Sequence, residues 1–304
     1  MRLSTLSESA RASALMVAST VLFAFMIVCI RFAAREVHAF EATFFRNFFG
    51  LVFALPLLGR AGVDTLRTNR LRLYFLRCIV GVGAMLSGFW ALVHLPLVQA
   101  VALSYTTPLF VTIGAALLLG EVVRARRWTA VAVGFVGVLV ILRPGVVALT
   151  PASVAALASA GLAASAAISI KVLARTESAE AIVIYMVLIM TPLSLLAAAP
   201  VWTWPSWHTT AWLVLTGFFG TVAHWCLTHA YKRGDASALT PITFVQLPVV
   251  AILAWWLFGE RADVWTIAGA GIICGSTLYI AHREAQLAAP QVTDPRVASE
   301  APLP

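Results

Sequence analysis

Charged residues are scarce in this sequence. Aspartate, glutamate, lysine and arginine together make up 11% of the 304 residues, whereas hydrophobic residues make up 61%. Soluble domains carry about 25% charged residues, so a water-soluble fold would lack the polar surface to cover so apolar a chain. The composition therefore excludes a soluble enzyme or binding domain and predicts an integral membrane protein.

Cysteines and the motifs of metal and nucleotide chemistry are also lacking. Four cysteines lie inside apolar runs at unrelated spacings, which fits neither a disulfide framework nor a metal site: Cys29, Cys78, Cys226 and Cys274. The sequence contains no His-Glu-x2-His motif, no acidic pair for a metal and no phosphate-binding glycine loop. We therefore predict no catalytic residue, metal or cofactor. A membrane-embedded enzyme is an alternative without a supporting motif.

Acidic residues are outnumbered, 13 against 21 lysines and arginines, which gives a formal net charge of +8. The basic residues stand in short clusters between apolar runs, without the basic groove or aromatic-basic pattern that reads bases. We therefore expect the lipid headgroups of the bilayer, and no nucleic acid, as the partner of this charge.

Ten apolar runs approach the length of about 20 residues that a helix needs to cross a bilayer. The fifth and tenth runs are short and marked by glycine. The alanine- and proline-rich sequence over 283–304 is predicted to be a disordered cytoplasmic tail. The predicted spans cover residues 13–33, 39–58, 73–94, 98–119, 128–142, 152–173, 179–199, 209–230, 236–258 and 264–281.

One long pattern occurs twice. Pro108 with a following Glu121 returns 139 to 140 residues later as Pro248 with Glu260, and both glutamates follow a glycine. Such self-similarity at a fixed offset indicates an internal repeat. The predicted fold class is an all-α integral membrane protein with ten transmembrane helices in two five-helix repeats, over 13–142 and 152–281.

Five spans per repeat is an odd number, so the second repeat must cross the membrane in the opposite sense to the first. Inverted repeats are typical of secondary transporters, whose substrate site lies near the midplane where the halves meet. The sequence therefore predicts alternating-access transport of a small-molecule substrate. A receptor or a channel subunit stays open as an alternative, although neither needs an inverted repeat.

The basic residues indicate the orientation. With a cytoplasmic N-terminus, sixteen of them, including Arg77, fall in inner segments and four fall in outer segments. The positive-inside rule then predicts that both termini are cytoplasmic. The tryptophan-rich stretch from Trp202 to Trp212 falls on the outer face, where an aromatic belt is expected.

The repeated pattern resembles a known family. The ten spans, the Pro-x12-Glu and Pro-x11-Glu copies and an Arg-Trp pair followed by Gly-x2-Gly are similar to the two EamA repeats of the drug/metabolite transporter superfamily. The segment from His38 to Arg46 and the sequence Pro108-Leu-Phe resemble the branch that holds S-adenosylmethionine uptake carriers and riboflavin transporters. The resemblance implies inner-membrane uptake of a riboflavin-like vitamin or an S-adenosylmethionine-like compound. The alternative is export of amino acids, related metabolites or drugs.

The resemblance also implies a central cavity lined mainly by the third, fourth, eighth and ninth spans, and prolines interrupt two of them. Pro108 clashes with the carbonyl of Ser104, and Pro248 with that of Phe244, so we predict a kink in each helix and a role for both prolines in gating. The polar side chains beside the prolines either satisfy the freed carbonyls or bind the substrate: Ser104, Thr107 and Gln246.

Aromatic side chains at comparable depths either stack on a flat substrate ring or pack against neighbouring helices: Trp90, Tyr105, Trp225 and Phe244. His94 and His224 titrate near neutral pH and could carry protons, although a buried histidine more often only satisfies a hydrogen bond. All acidic residues fall in loops or at span ends. No carboxylate is therefore expected at the midplane to bind a proton or a sodium ion. Transport is coupled to an ion by a histidine or by Glu41 with Arg46, or it is not coupled to an ion.

Arg46 is the strongest single candidate. It lies seven residues into its predicted span, which places it about 10 Å below the outer end of the helix. A charge at this depth is costly and usually functional. Its partner is expected to be either an anion or carbonyl of the substrate, or the carboxylate of Glu41.

Glycines and helix-end charges give three further expectations. Flat glycine faces on the fifth and tenth spans are predicted to pack either within one chain or across a homodimer: Gly134 with Gly137, and Gly271 with Gly275. Glu260 is expected to pair with the neighbouring Arg261. Arg31 is expected to snorkel to the membrane interface as an anchor.

Overall fold

The structure is a computed structural model that describes residues 8–61, 68–119, 125–144, 149–173, 176–177, 179–231, 233, 239 and 242–288. The regular structure of these residues is helical, which confirms the predicted fold class. A 3-10 turn covers Ala199–Val201. The α-helices are α1 Glu8–Ala33, α2 Ala39–Ala61, α3 Leu71–His94, α4 Leu97–Ser104, α5 Thr107–Leu119, α6 Ala125–Leu142, α7 Pro151–Leu173, α8 Ala179–Ala198, α9 Trp207–Tyr231, α10 Gln246–Phe258 and α11 Val264–Ala288.

The helices have the length and composition of membrane spans. Six stretches in the described chain are long and apolar enough to cross a bilayer: Ala10–Ala33, Leu71–His94, Leu97–Gly114, Pro151–Ile170, Ile184–Val201 and Trp207–Leu227. Shorter apolar helices lie at Trp128–Leu142, Gln246–Phe258 and Val264–Tyr279. An α-helix satisfies its own backbone hydrogen bonds, as a chain in hydrocarbon requires. The protein is a multi-pass membrane protein.

Several predicted boundaries differ from the observed helices, and in the ninth predicted span, 236–258, a turn at Phe244 and Val245 precedes α10. The fourth predicted span is divided into α4 and α5 by a turn at Tyr105 and Thr106. The disordered tail predicted over 283–304 is wrong at its start, because α11 continues to Ala288. The apolar residues of this helix are followed by helix formers without glycine or proline, so nothing in the sequence stops it earlier. The rest of the predicted tail lies outside the described residues.

The helix pairs repeat when the two halves are exchanged. α1 and α9, which are the first and eighth spans, pack along each other. α7 and α3, which are the sixth and third spans, form the equivalent pair with the repeats interchanged. The contact of α2 with α9 likewise has its counterpart in that of α8 with α3. Other contacts join equivalent spans, α2 with α8, α4 with α10, and α6 with α11. A pseudo-two-fold axis between two repeats produces this pattern.

Glycines set the crossing of α6 and α11. A Cβ atom added at Gly137 would lie 2.8 Å from the carbonyl oxygen of Gly269, and one added at Gly269 would lie 2.6 Å from the carbonyl oxygen of Gly137. The two backbones are therefore in direct contact. A Cβ atom at Gly134 would also lie 2.8 Å from Oγ of Ser276.

The glycines predicted for the tenth span are not the ones in this contact. A Cβ atom at Gly271 or Gly275 would meet no described atom within 4 Å, and both residues are exposed. Residues two apart on a helix point about 200° away from each other, so Gly269 and Gly271 lie on opposite faces. The packing within one chain thus uses Gly134, Gly137 and Gly269. A homodimer through the exposed face of α11 stays a prediction.

A polar network joins the ends of four helices at one face of the bundle. Nη2 of Arg31 lies 2.6 Å from Oε1 of Glu260, and Oε2 of Glu260 accepts a hydrogen bond of 2.8 Å from the backbone N–H of Leu97 at the start of α4. Arg31 also donates to three carbonyl oxygens at the end of α3, those of Leu92, Val93 and Leu95. One cation and one anion therefore satisfy a helix C-terminus and a helix N-terminus.

This network corrects two expectations. Arg31 is not an interface anchor, because its guanidinium closes the end of α3. Glu260 pairs with Arg31 and not with the adjacent Arg261 in the described chain. The neighbour in sequence was the wrong partner because the packing of α1 beside α10 brings residues 229 positions apart into contact. Glu121, the repeat equivalent of Glu260, lies outside the described residues.

Further polar contacts lie at the same face. Arg143 at the end of α6 pairs with Asp263 at 3.0 Å. Ser206 and Thr209 donate hydrogen bonds to the carboxylate of Glu36. These hydrogen bonds hold the pKa of Glu36 below its usual range. In each contact the end of one helix meets the start of another on the same side of the bundle, as expected for a chain that crosses the membrane repeatedly.

Candidate substrate site

Hydroxyl groups satisfy the backbone where the fourth span is interrupted. Pro108 breaks the helix at Tyr105 and Thr106 instead of only kinking it. Oγ1 of Thr107 donates a hydrogen bond of 2.8 Å to the carbonyl of Ser104, which the proline leaves without a backbone donor. Oγ1 of Thr106 and Oγ of Ser104 donate to carbonyls one turn earlier, at 2.7 Å each. The hydroxyls of Ser104 and Thr107 thus serve the local backbone.

The interruption in the second repeat meets the first. α10 begins at Gln246, so Pro248 lies in the first turn, where its missing N–H leaves no hydrogen bond unmade. The hydroxyl of Tyr105 donates a hydrogen bond of 2.6 Å to the carbonyl of Thr243 and lies 3.4 Å from Oε1 of Gln246. The rings of Tyr105 and Phe244 are 4.8 Å apart. Tyr105 therefore joins the two broken helices.

A cavity of about 260 Å³ lies beside this junction. Its wall is mostly aliphatic, and the polar side chains on it are Ser104, Ser159 and Gln246. Ligand pockets usually measure about 300 to 1,000 Å³, so the volume of this cavity lies just below the usual range. An apolar wall with a few polar groups suits the ring of an amphipathic molecule.

The helices around this cavity differ in part from those that the family resemblance implies. The third, fourth and ninth predicted spans contribute, through residues such as Phe89, Ser104 and Gln246. The eighth span contributes none of the lining residues in the described chain, whereas the first and sixth do, through Ile27 and Ser159. The reason is the packing of α9, which lies along α1 and turns its glycine-bearing face to α2.

The other aromatic and histidine candidates are distributed around the bundle. Trp90 packs beside the cavity-forming helices, whereas Trp225 is 45% exposed and does not line the cavity. Nδ1 of His94 lies 2.8 Å from the carbonyl of Trp90 at the exposed end of α3. His224 lies on α9 with its ring edge-on to Phe23 at 5.0 Å. The cavity is thus lined by neither histidine.

Arg46 lies in a second, polar region. It is only 8% exposed, and its Nη1 donates a hydrogen bond of 3.1 Å to Oδ1 of Asn47. Nδ2 of Asn47 in turn donates to Oγ of Ser194 on α8 at 3.2 Å. A Cβ atom at Gly220 would lie 3.3 Å from Nε of Arg46, so the absence of a side chain there leaves room for the guanidinium.

Glu41 is not the partner of Arg46. Its fully buried carboxylate accepts hydrogen bonds of 3.0 and 3.1 Å from the backbone N–H and Oγ1 of Thr203 and of 3.1 Å from the backbone N–H of His38. Residues five apart on a helix point about 140° away from each other, so Glu41 and Arg46 face different neighbours. Glu41 instead ties the start of α2 to the segment before α9.

Arg77 is a functional candidate that the sequence reasoning missed. Counted among the inner basic residues, it is in fact 7% exposed, on α3 against α8. Its Nη2 lies 3.0 Å from Sδ of Met186, and its Nη1 lies 3.4 Å from Sδ of Met190. The available signal was its depth, six residues inside α3, which is close to the depth of Arg46 in α2.

Two interlocked helical repeats with broken helices meeting at a central cavity are the architecture of a secondary transporter. The sequence profile described as the EamA-like transporter family matches the chain twice, over residues 10–143 and 150–281. The chain therefore belongs to the EamA-like transporter family. It is a secondary membrane transporter of two repeats, with a small-molecule substrate and the lipid bilayer as its partners.

Similar proteins are named as transporters. The chain is 34% identical to the riboflavin transporter of Vibrio cholerae, over 77% of this chain and 80% of that protein. It is 30% identical to the S-adenosylmethionine uptake transporter of Rickettsia bellii, over 84% and 88%. A pseudopaline exporter of Pseudomonas aeruginosa is 28% identical, over 85% and 92%. A solved crystal structure shares the fold with a TM-score of 0.64 at 19% identity, covering 92% of this chain and 99% of that one.

Proposed function

We propose that this chain takes up a small, flat, amphipathic metabolite across the bacterial inner membrane, with a riboflavin-like vitamin or an S-adenosylmethionine-like compound as substrate. The observation that carries the proposal is the meeting of the two broken helices at Tyr105 beside an apolar cavity. The names of the similar proteins support uptake of a molecule with a flat ring. The cavity would take the ring, with Ser104 and Gln246 as its polar contacts.

The proposed transport cycle uses the breaks as hinges. α4 and α5 in the first repeat, and α10 in the second, can rotate against their neighbours because no continuous helix crosses the break. The hydrogen bond from Tyr105 to Thr243 would be made or broken as the repeats rock, and the ion pair of Arg31 with Glu260 would hold one face closed. Alternating access then exposes the cavity to one side at a time.

Counterflow into proteoliposomes tests this function. The full-length protein would be reconstituted in liposomes loaded with unlabelled riboflavin or S-adenosylmethionine, and the radiolabelled compound added outside. We expect protein-dependent accumulation of chemically unchanged label for one of the two compounds. Accumulation in protein-free liposomes to the same level, or conversion of the label into another compound, would contradict the proposal.

Export of amino acids or related metabolites is the second candidate function. It is favoured by the similarity to the pseudopaline exporter. The same proteoliposomes distinguish the two candidates when they are assayed with labelled amino acids in place of the vitamin. Counterflow of an amino acid without counterflow of riboflavin or S-adenosylmethionine would replace the first proposal by the second.

The proposed orientation places both termini in the cytoplasm. The contacts between helix ends show which ends share a face of the bundle. Locating one of these ends in the cytoplasm or outside therefore locates all the others. We expect a reporter fused after Ala288 to be active only as a cytoplasmic protein, and a reporter in the segment from Trp202 to Trp207 to be active only outside. Reporter activities of the opposite sense at both positions would invert the whole assignment.

A further inference from the structure

Two buried arginines in the described chain have no acidic partner. We propose that Arg46 and Arg77 together bind an oxyanion, a carboxylate or a phosphate, that the transported metabolite carries beside its flat ring. This inference rests on the proposed function and adds a chemical requirement to the substrate of the same transporter. S-adenosylmethionine meets the requirement with its carboxylate, whereas riboflavin itself has neither group and only a phosphorylated or acidic relative of riboflavin would meet it.

Both guanidinium groups are taken out of solvent by protein. Arg46 is 8% exposed and Arg77 is 7% exposed. Arg31 pairs with Glu260 and Arg143 with Asp263, whereas neither buried arginine contacts a carboxylate of the described residues. An arginine side chain does not lose its proton in a protein, so each carries its charge in a region of low dielectric. A buried charge without a counter-ion costs several kcal/mol, which a bound anion would offset.

The present contacts leave most of the donors available. A guanidinium has five N–H donors. One donor of Arg46 is used by Asn47. Among the described residues, the hydrogen-bond partners of Arg77 are sulfur atoms, those of Met186, Met190 and, at 4.0 Å, Cys78. Sulfur is a weak acceptor, and Nε of Arg77 is buried without any hydrogen-bond partner in this part of the chain. Neither guanidinium group thus has the hydrogen-bond acceptors that a structural ion pair would provide.

Both groups lie at mid-depth in the bundle beside the same helix, α8. A Cβ atom at Gly81 would lie 3.8 Å from Nη1 of Arg77, and one at Gly220 would lie 3.3 Å from Nε of Arg46. These glycines lie ten residues into the 24-residue α3 and thirteen into the 25-residue α9. Both arginines also border α8, Arg77 directly at Met190 and Arg46 through Asn47 at Ser194.

The site adjoins the apolar cavity. Met85 lines the cavity and also packs against the buried cluster that contains Met190. Methionine side chains therefore form part of the packing between the cavity and Arg77, and methionines are flexible and repack readily. A molecule with its ring in the cavity can reach the arginines with a charged end when these side chains shift. The polar groups around such an anion would be the two guanidiniums, Asn47, Ser194 and the nearby His224.

Ligand pairs that differ only in an oxyanion test the site. The probes are riboflavin 5′-phosphate with riboflavin, and S-adenosylmethionine with its decarboxylated analogue. Binding to the purified full-length protein in detergent would be measured by calorimetry. We expect the member that carries the oxyanion in at least one pair to bind the wild type about 10 to 100 times more tightly, as one to two charge-assisted hydrogen bonds would give.

Arg77→Met removes the charge and keeps an unbranched side chain against Met186 and Met190. We expect this variant to lose the preference for the member that carries the oxyanion while its affinity for the member without the oxyanion stays unchanged. Arg77→Lys keeps a charge without the guanidinium fork, and we expect it to retain part of the preference. The lysine variant alone decides the question if the methionine variant does not fold. Arg143→Met, which removes an exposed ion pair, is the control and should keep the full preference.

Three outcomes would overturn the proposal. One is an unchanged preference in Arg77→Met or, where that variant does not fold, in Arg77→Lys. Another is an equal loss of affinity for both members of a pair. The third is binding of inorganic phosphate alone, lost in Arg77→Met, without any preference between the organic probes, which would assign the site to a free anion. If no organic probe binds the folded wild type, the proposed substrates are wrong. Absence of phosphate binding as well would then overturn the oxyanion site.

Discussion

Replacing Gly137 by leucine is expected to remove most of the folded protein from the membrane. The Cβ atom of any side chain at this position would lie 2.8 Å from the carbonyl oxygen of Gly269 and 2.8 Å from Cγ1 of Ile273. Backbone atoms cannot rotate away as a side chain can, so α6 and α11 would have to separate. We expect a destabilisation of about 3 kcal/mol or more, at the upper end of overpacking in cores. Size-exclusion chromatography of the detergent-solubilised protein, with a thermal unfolding scan, measures it.

Gly271→Leu is the matched control on the partner helix. Its Cβ atom would meet no described atom within 4 Å, so we expect normal abundance and an unchanged unfolding temperature. An equal loss in both variants would contradict the intramolecular crossing. A normal monomer that loses a cross-linked dimer in Gly271→Leu would instead support the predicted homodimer through α11.

The span pattern and the repeat were predictable because they are properties of local composition. A run of apolar residues is compatible with only a few structures in a bilayer, and the offset between Pro108 and Pro248 can be counted in the sequence. The contacts between the halves were not predictable in the same way. The partner of Glu260 is Arg31, which no periodicity or motif connects to it, because the packing of the two repeats selects that pair.

The depth of a charged residue was predictable only in part. Arg46 lies seven residues into its predicted span, 39–58, and is buried, as expected. Arg77 stands five residues after Arg72, in a segment that resembles an interfacial cluster. Its burial depends on α8, whose methionines cover it. The depth of Arg77 in α3 was a signal, but the packing of α8 against α3 decides that its side chain does not snorkel.

The prolines show the same limit at a finer scale. Their clash with the preceding turn predicted an irregularity at the right place in the first repeat. Whether the helix kinks or breaks depends on how well the freed groups are satisfied, and here Thr106, Thr107 and Ser104 each donate to a backbone carbonyl. The contribution of Tyr105 to the other repeat could not be read from either segment alone, since its acceptor is the carbonyl of Thr243.

Glu41→Ala and Arg46→Ala are expected to act independently. Glu41→Ala leaves the N–H groups of Thr203 and His38 without their acceptor. Such a loss costs about 1 to 3 kcal/mol and should lower the abundance of the protein in the membrane. Because the two side chains do not contact each other, the double mutant should show the sum of the single effects on stability within about 0.5 kcal/mol. A clear recovery in the double mutant would show that Glu41 and Arg46 are a pair after all.

Arg46→Lys is expected to reach the membrane at the normal level and to transport at least about tenfold more slowly, because lysine keeps the charge but loses the planar fork that binds a carboxylate or phosphate at two points. Gly220 leaves space for the guanidinium plane that an ammonium group would not fill. The repeat-equivalent position is Tyr185, whose ring centre lies 4.6 Å from that of Tyr74, so the symmetry of the fold alone does not require a cation here. Initial rates of counterflow, divided by the amount of reconstituted protein, give the comparison. A wild-type rate in Arg46→Lys would reduce Arg46 to a structural residue and would leave the transported anion to Arg77 alone.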